Sequence, residues 1–304
     1  MPRVSTPLDL TETPLIVASS DLWAISLLIF NWASILFLLA FVGFFPNPFT
    51  LFLVWILLPG RQLGLSVLMH EASHNTLFVK QSSNRCVGEW LCALPTLNDF
   101  DTYARKHREH HRKAGTPNDP DLPNYAIYPI DLKSFLRKII RDLTGQTAFK
   151  FISSTVDTGH RRICGEAEGD PRILYKQLLV QLMLAGFLIL LGIGWTWWIW
   201  FAVFISSYML VIRFRQIAEH AAITDPNNAD PRFNTRTVEA GLLERALIAP
   251  NFVNFHLEHH IMPSVPCYRL PKFRAYLKED GFLDNVPFFS SYGQVLKHVI
   301  LEPK

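Results

Sequence analysis

Two long stretches of the chain, from Leu22 through Gly60 and from Gln177 through Ile212, carry no Asp, Glu, Lys or Arg. A membrane span needs roughly 20 apolar residues, so each stretch can hold two spans back to back. The uncharged segments Phe45-Pro46-Asn47-Pro48 and Gly192-Ile193-Gly194 read as the turns between them. The pattern predicts spans near 22–44, 48–69, 174–193 and 195–212. Residues 70–173 and 213–304 are polar by comparison and are expected to form a helical cap. The fold class expected is all-α, a polytopic membrane protein with four transmembrane helices, read as a single domain over 1–304.

Within the cap, Leu132, Phe135, Leu136, Ile139, Ile140 and Leu143 recur at helical spacing, with Lys133, Arg137, Lys138 and Arg141 on the other side. Such a helix lies flat in the lipid interface or packs its stripe on the protein's own core. Trp195, Trp197, Trp198 and Trp200 open the fourth span and read as an aromatic belt. Arg61 follows Pro59-Gly60 inside the second span, where either a snorkelling side chain or an early helix end is expected.

Composition agrees with a membrane protein, at 49% hydrophobic and 13% aromatic. Nearly all Lys and Arg fall in the two cap segments, so the positive-inside rule places both in the cytoplasm, and parity places the N-terminus there too. Residues 1–21 lack the basic-then-apolar order of a cleaved signal peptide, so the first apolar segment is expected to stay as a span. The expected location is a bacterial inner membrane or the endoplasmic reticulum. A net charge of +3 is too small to point to nucleic acid. Cys86, Cys92, Cys164 and Cys267 form no CxxC pair and are expected to be ordinary reduced thiols.

The chemistry lies in the histidines. Of eleven, eight fall in three boxes, His70-Glu-Ala-Ser-His74, His107-Arg-Glu-His-His111 and His256-Leu-Glu-His-His260, and His220 follows the fourth span. On a helix, residues i, i+3 and i+4 share a face, so each box aims its imidazoles one way. The predicted topology brings all nine to one membrane face. Nine imidazoles exceed one four-coordinate zinc, and two metal ions, iron above all, are the expected count. His160 and His298 have no such company.

The first box also fits the zincin pattern H-E-x-x-H. A zinc intramembrane protease would use His70 and His74 as ligands, Glu71 as general base and Asp119 or Asp121 as a further ligand, leaving seven clustered histidines idle.

The three boxes in order, with two pairs of spans among them, resemble the membrane fatty acid desaturase and hydroxylase superfamily, over roughly residues 20–275. The resemblance implies two irons cycling between Fe2+ and Fe3+, with O2 as co-substrate. It implies His70, His74, His107, His110, His111, His220, His256, His259 and His260 as metal ligands, with no catalytic residue beyond them. Glu71, Glu109, Asp119, Asp121, Glu219 and Glu258 are expected around the ligands, holding the other ring nitrogens. Three residues separate the histidines of the first box, as in acyl-lipid and sphingolipid desaturases more than in acyl-CoA Δ9 enzymes. The third box opens on His256 rather than Gln, unlike front-end desaturases.

The function so implied is O2-dependent insertion of a double bond into a long-chain fatty acyl substrate. Hydroxylation or ketolation of a lipid, carotenoid or alkane is the alternative, because those enzymes use similar boxes. The sequence carries no nucleotide-binding glycine motif, iron–sulfur cysteine set or His-Pro-Gly-Gly haem motif. Electrons are therefore expected from a separate ferredoxin, rubredoxin or cytochrome b5 type carrier with an NAD(P)H reductase. Arg105, Lys106, Arg108, Arg112 and Lys113 offer an acidic carrier a landing site, or else face lipid headgroups.

Overall fold

A computed structural model describes residues 16–301. The chain N-terminal to residue 16, expected on the cytoplasmic side, lies outside the described residues. Four helices are long and apolar enough to cross a membrane, Asp21–Phe44, Pro48–Ser73, Ile173–Leu190 and Thr196–His220, the last broken at Ser206. We label them α1, α2, α6 and, for the two parts of the last, α7 (Thr196–Ile205) and α8 (Ser207–His220). Between them lie α3 (Phe100–Lys113), α4 (Leu132–Leu143) and α5 (Gln146–Ile163). After them come α9 (His256–Ile261), α10 (Leu270–Glu279) and α11 (Tyr292–Val299). Among the described residues, extended pairing is limited to a parallel match of Ile130–Asp131 with Ile300–Leu301 and one isolated bridge.

α1 buries Ala24, Asn31, Ile35, Leu38, Leu39 and Val42, a helical stripe, and leaves Leu22, Ile29 and Phe37 more than 60% exposed. An apolar outer face on this scale is that of a helix bathed in lipid. The turn to α2 is set by Asn47, whose Oδ1 accepts from the Phe49 and Thr50 amides at 3.0 and 3.1 Å while Thr50 closes the capping box. Pro48 sits in the first turn, where its missing N–H costs nothing.

α2 is the central helix. From Leu58 to Ser73 every residue is buried, the mark of a helix packed on all sides. Pro59 does not end it. The proline deprives the Trp55 carbonyl of its helical donor, and the Ser207 hydroxyl supplies one at 3.2 Å. Two glycines let neighbours close in: a Cβ at Gly60 would meet the Ala246 carbonyl oxygen at 2.4 Å, and one at Gly64 the Asn31 Oδ1 at 1.9 Å. Arg61 neither snorkels nor ends the helix. It is 7% exposed and donates from Nη2 to the Ala246 carbonyl at 2.9 Å.

Lipid tails are as apolar as leucine, so polar contacts and close packing must hold these helices together. Ser66 and Tyr208 hydroxyls meet at 2.7 Å, and Gln62 Nε2 donates to the Trp200 carbonyl at 2.9 Å. Gln181 Nε2 donates to the Pro95 carbonyl at 2.9 Å. Contacts of this kind contribute on the order of 1 kcal/mol each.

Two expectations divide on contact with the core. Trp198 is 66% exposed as a belt residue should be, but Trp200 is fully buried against Ile35, Leu39 and Val203. In α4, Phe135 and Ile139 turn into the core while Leu132, Leu136 and Ile140 stay about half exposed. That helix both packs inward and presents an apolar edge outward. An ion pair between the buried Asp142 and the partly buried Arg213 ties α4 to α8.

Candidate metal centre

The first box and His220 lie at the ends of long apolar helices, and the other two boxes lie on shorter helices. His70 lies in the last turn of α2 and His74 is its C-cap. α3 begins at the Asp99 cap, whose Oδ1 accepts from the Asp101 and Thr102 amides at 3.1 and 3.3 Å, and its buried stripe carries His107 and His110. His220 ends α8, and α9 is a six-residue helix made almost wholly of the third box. The chain reaches α9 through left-handed backbone at Asn251 (φ 52°) and Phe252 (φ 63°). Asn251 fits that conformation better than most residues, and its amide is held by the Gly64 carbonyl at 2.8 Å.

All nine predicted histidines converge, in two groups. His70, His74, His107, His111 and His259 form one; His110, His220, His256 and His260 form the other, and within each group the ligand atoms lie within 4.8 Å of one another. The rule behind the division is helical. Residues i and i+4 are about 40° apart around the axis, and i+3 lies about 60° the other way. In each His-x-x-His-His box the i, i+4 pair serves one group and the middle histidine the other. α3 gives His107 and His111 to the first and His110 to the second; α9 gives His256 and His260 to the second and His259 to the first. His70 and His74 raise the first group to five, and His220 raises the second to four.

The ring nitrogens meet tip to tip. Nε2 of His111 is 3.0 Å from that of His107 and 2.9 Å from that of His259; Nε2 of His256 is 2.9 Å from that of His220 and 3.1 Å from that of His260. Around an ion with bonds of about 2.1 Å, neighbouring ligand nitrogens are about 3.0 Å apart at right angles and about 3.4 Å at tetrahedral angles. The spacing fits an ion of higher coordination number. His70 keeps both ring nitrogens, and His74 its Nε2, buried without a hydrogen-bond partner. Buried polar atoms are rarely left so, and a metal ion is the partner this donor set fits.

Electrostatics favours the ligand form of imidazole. Burial pushes His74 down to about 4 and His111 down to about 2, and it holds His107, His256, His259 and His260 well below the usual range. Neighbouring charges add to the shift. These rings are thus neutral at physiological pH and free to coordinate.

The acidic residues divide sharply. Asp119 accepts from His110 Nδ1 at 2.8 Å, from the Asp121 amide at 2.8 Å and from the Tyr125 hydroxyl. Burial raises its carboxyl, but these hydrogen bonds outweigh that and hold it below the usual value. Asp121 itself stands 3.9 Å from His110 Nδ1. Glu219 lies 3.6 Å from His256 Nδ1 and accepts from Arg215 Nε at 2.6 Å. Glu71 Oε1 is 3.3 Å from His70 Nδ1 but off the hydrogen-bond line, while its Oε2 accepts from the Cys267 amide at 2.8 Å and the Thr76 hydroxyl at 3.0 Å. Glu258 turns away to Thr237 and Arg274, and Glu109 pairs with Lys113 at 2.6 Å on the outer face.

These positions speak against a zinc protease: Glu71 is tied into the protein, and His70 and His74 join three further histidines. His160 and His298 stay outside both groups. Three contacts have no signal in the sequence. The Asn234 carbonyl lies 3.2 Å from His220 Nδ1, and the Tyr125 ring stacks on His220 and the Tyr103 ring on His107. A cavity of about 550 Å³ opens beside His107, His110, His220 and His256, between α3, α5 and α8.

Comparison with known proteins points the same way. The fatty acid desaturase family profile matches residues 46–292. Dihydrorhizobitoxine desaturase of Bradyrhizobium elkanii is 25% identical over 74% of this chain and 67% of its own length. A beta-carotene ketolase of Paracoccus sp. (strain PC1) is 26% identical over 70% of this chain and 74% of its own. A sphingolipid delta(4)-desaturase of Drosophila melanogaster is 27% identical over 79% and 69%.

Proposed function

The chain belongs to the fatty acid desaturase family, and from that premise we propose that it is an O2-dependent desaturase of a long-chain lipid acyl group, working at two irons. As a member of that family it is an oxidoreductase. The observation that carries the proposal is the sorting of nine largely buried imidazoles into a group of five and a group of four. We assign His70, His74, His107, His111 and His259 to one iron and His110, His220, His256 and His260 to the other. The irons, when bound, supply the activation of O2 that breaks an unactivated C–H bond.

The protein's own residues do the rest. Asp119 fixes the His110 ring and Glu219 lies beside His256, which together set which nitrogen faces the metal. The 550 Å³ cavity presents substrate to His107, His110, His220 and His256. The helices α2, α3, α8 and α9 that meet there keep bulk water from the imidazole cluster, whose members are nearly all buried. Both cap segments, on this reading, lie on the cytoplasmic side. Arg105, Lys106, Arg108 and Arg112 line α3, beside the centre, where a separate acidic electron carrier can dock.

A second reading is supported by a specific comparison. A beta-carotene ketolase matches nearly as much of the chain as the desaturases do, so oxygen insertion into a lipid or carotenoid is the runner-up. Two measurements decide. Purified protein should hold about two irons per chain, and one zinc with no iron overturns the proposal. Gas chromatography with mass spectrometry of a host expressing the protein should show a new unsaturated acyl chain. A hydroxyl or keto product instead selects the runner-up.

A further inference from the structure

A second cavity lies apart from the histidines. It holds about 750 Å³ between α1, α2 and the short helix Leu242–Leu247, and shares no residue with the cavity at the metal centre. Its walls are apolar: Leu27, Phe30, Phe37, Leu38 and Leu57 among them, with Phe30 and Phe37 also facing outward. Leu242, at its rim, is 87% exposed, and the next residue, Leu243, is 70% exposed. Side chains of that kind left in the open beside a span belong in lipid.

Two arginines line this apolar groove. Arg61 is 7% exposed, donates one N–H to the Ala246 carbonyl and lies over the Phe30 ring at 5.3 Å. Arg245 donates from Nε to the Ala240 carbonyl at 3.0 Å. Among the described residues no carboxylate pairs with either guanidinium, whereas Arg162, Arg213 and Arg215 each have one. Arg236 is also buried without a carboxylate, but it lies outside the spanning helices and donates to the Ala221 and Ala222 carbonyls. A cation buried at a membrane helix without a counter-ion is costly, and such a group ordinarily finds an anion. Arg61 also has donors to spare, since one carbonyl uses only one of its five N–H groups.

We propose that this groove binds an anionic glycerophospholipid of the surrounding leaflet, with the phosphate between Arg61 and Arg245 and one acyl chain along Leu27, Phe30 and Leu38. The chemistry of the groove commits to that occupant. A zwitterionic lipid brings its own cation to the two arginines, and a small soluble anion leaves the apolar wall empty. The site lies outside the reaction cavity, so the lipid is a bound partner and not the compound transformed. α2 carries both Arg61 and His70, nine residues or about 14 Å apart along the axis, so a lipid at Arg61 buttresses the same helix that presents the first box.

Native mass spectrometry of the full-length protein tests this, using phosphatidylglycerol and phosphatidylcholine of matched chains. Each basic contact near a lipid surface favours the anion by about 1 kcal/mol. The wild type should therefore retain phosphatidylglycerol at least about tenfold over phosphatidylcholine. Arg61→Met with Arg245→Gln should erase the preference. If that pair does not insert, Arg245→Gln alone, on the exposed rim, should lower it about fivefold. Ser34→Trp, which fills the groove, should remove bound lipid of either headgroup. Retention of no lipid by the wild type, equal retention of both, or displacement of phosphatidylglycerol by free oleate overturns the proposal.

Discussion

The two histidine groups are built from the same boxes, yet they are held differently. In the group of four, three members rest on fixed partners: His110 on Asp119 at 2.8 Å, His220 near the Asn234 carbonyl at 3.2 Å, and His256 beside Glu219 at 3.6 Å. In the group of five, His70 meets Glu71 only off-line, and His259 Nδ1 is buried without a hydrogen-bond partner. As proposed ligand sets, the larger would rely on ligand number and the smaller on anchoring. Three of the four residues in the smaller group also line the 550 Å³ cavity, against His107 alone from the larger. On the proposed assignment the smaller set would leave its ion more positions free, and it is the set that borders the cavity.

The sharpest test compares loss of a ligand from each group. His256→Ala reduces four to three and should abolish turnover, a fall of more than about 100-fold, with loss of one iron and normal membrane insertion. His259→Ala reduces five to four, and iron analysis should show that ion largely retained. Equal iron loss in the two variants would mean that the division into five and four carries no functional difference.

Anchoring is tested one layer out. Asp119→Ala leaves His110 Nδ1 without its acceptor and should cost about 10- to 100-fold in activity or iron affinity. Glu109→Ala, which only releases Lys113 at the surface, should leave both unchanged. A loss on Glu109→Ala matching that of Asp119→Ala would break the argument from partners. Glu71→Gln should lower activity only severalfold, because the glutamine still accepts from Cys267 and Thr76. Near-complete loss would return Glu71 to the role of a general base.

The smallest effect concerns stability. His74 titrates near 4 in the folded protein and near 6.5 when unfolded. Between those values the unfolded chain binds more protons, so stability rises with pH and falls as the pH drops from 6.5 toward 4. Thermal unfolding of chelator-treated protein should show that decline. Iron-loaded protein should show it displaced to lower pH, since coordination competes with the proton. His107, His111, His256, His259 and His260 shift the same way, so identical profiles with and without iron would sever these histidines as a set from the metal.

Much of this was legible in the chain because the signals are local. An uncharged run as long as that from Leu22 through Gly60 permits little besides spans, and His-x-x-His-His needs only a helix to aim its rings. Helical spacing separates the middle histidine of a His-x-x-His-His box from the outer pair, but which group each joins was not legible, because that depends on how α3 and α9 face each other across the centre. Nor was the role of Trp200, which shares a span end with Trp198 and differs only in having Ile35 and Leu39 in front of it. Arg61 misled for the same reason. Its local sequence suggests a snorkelling side chain, and only the approach of Ala246, through the gap left by Gly60, keeps it inside.

The sequence by itself determined the number of apolar helices, the donor type and the set of nine imidazoles, since these follow from composition and from spacing along one helix. The tertiary structure decided which histidine faces which partner, which carboxylate reaches a ring, and which arginine is left without a counter-ion. Those outcomes depend on distances between segments far apart in the chain. Local periodicity carries no information about such distances until packing sets them.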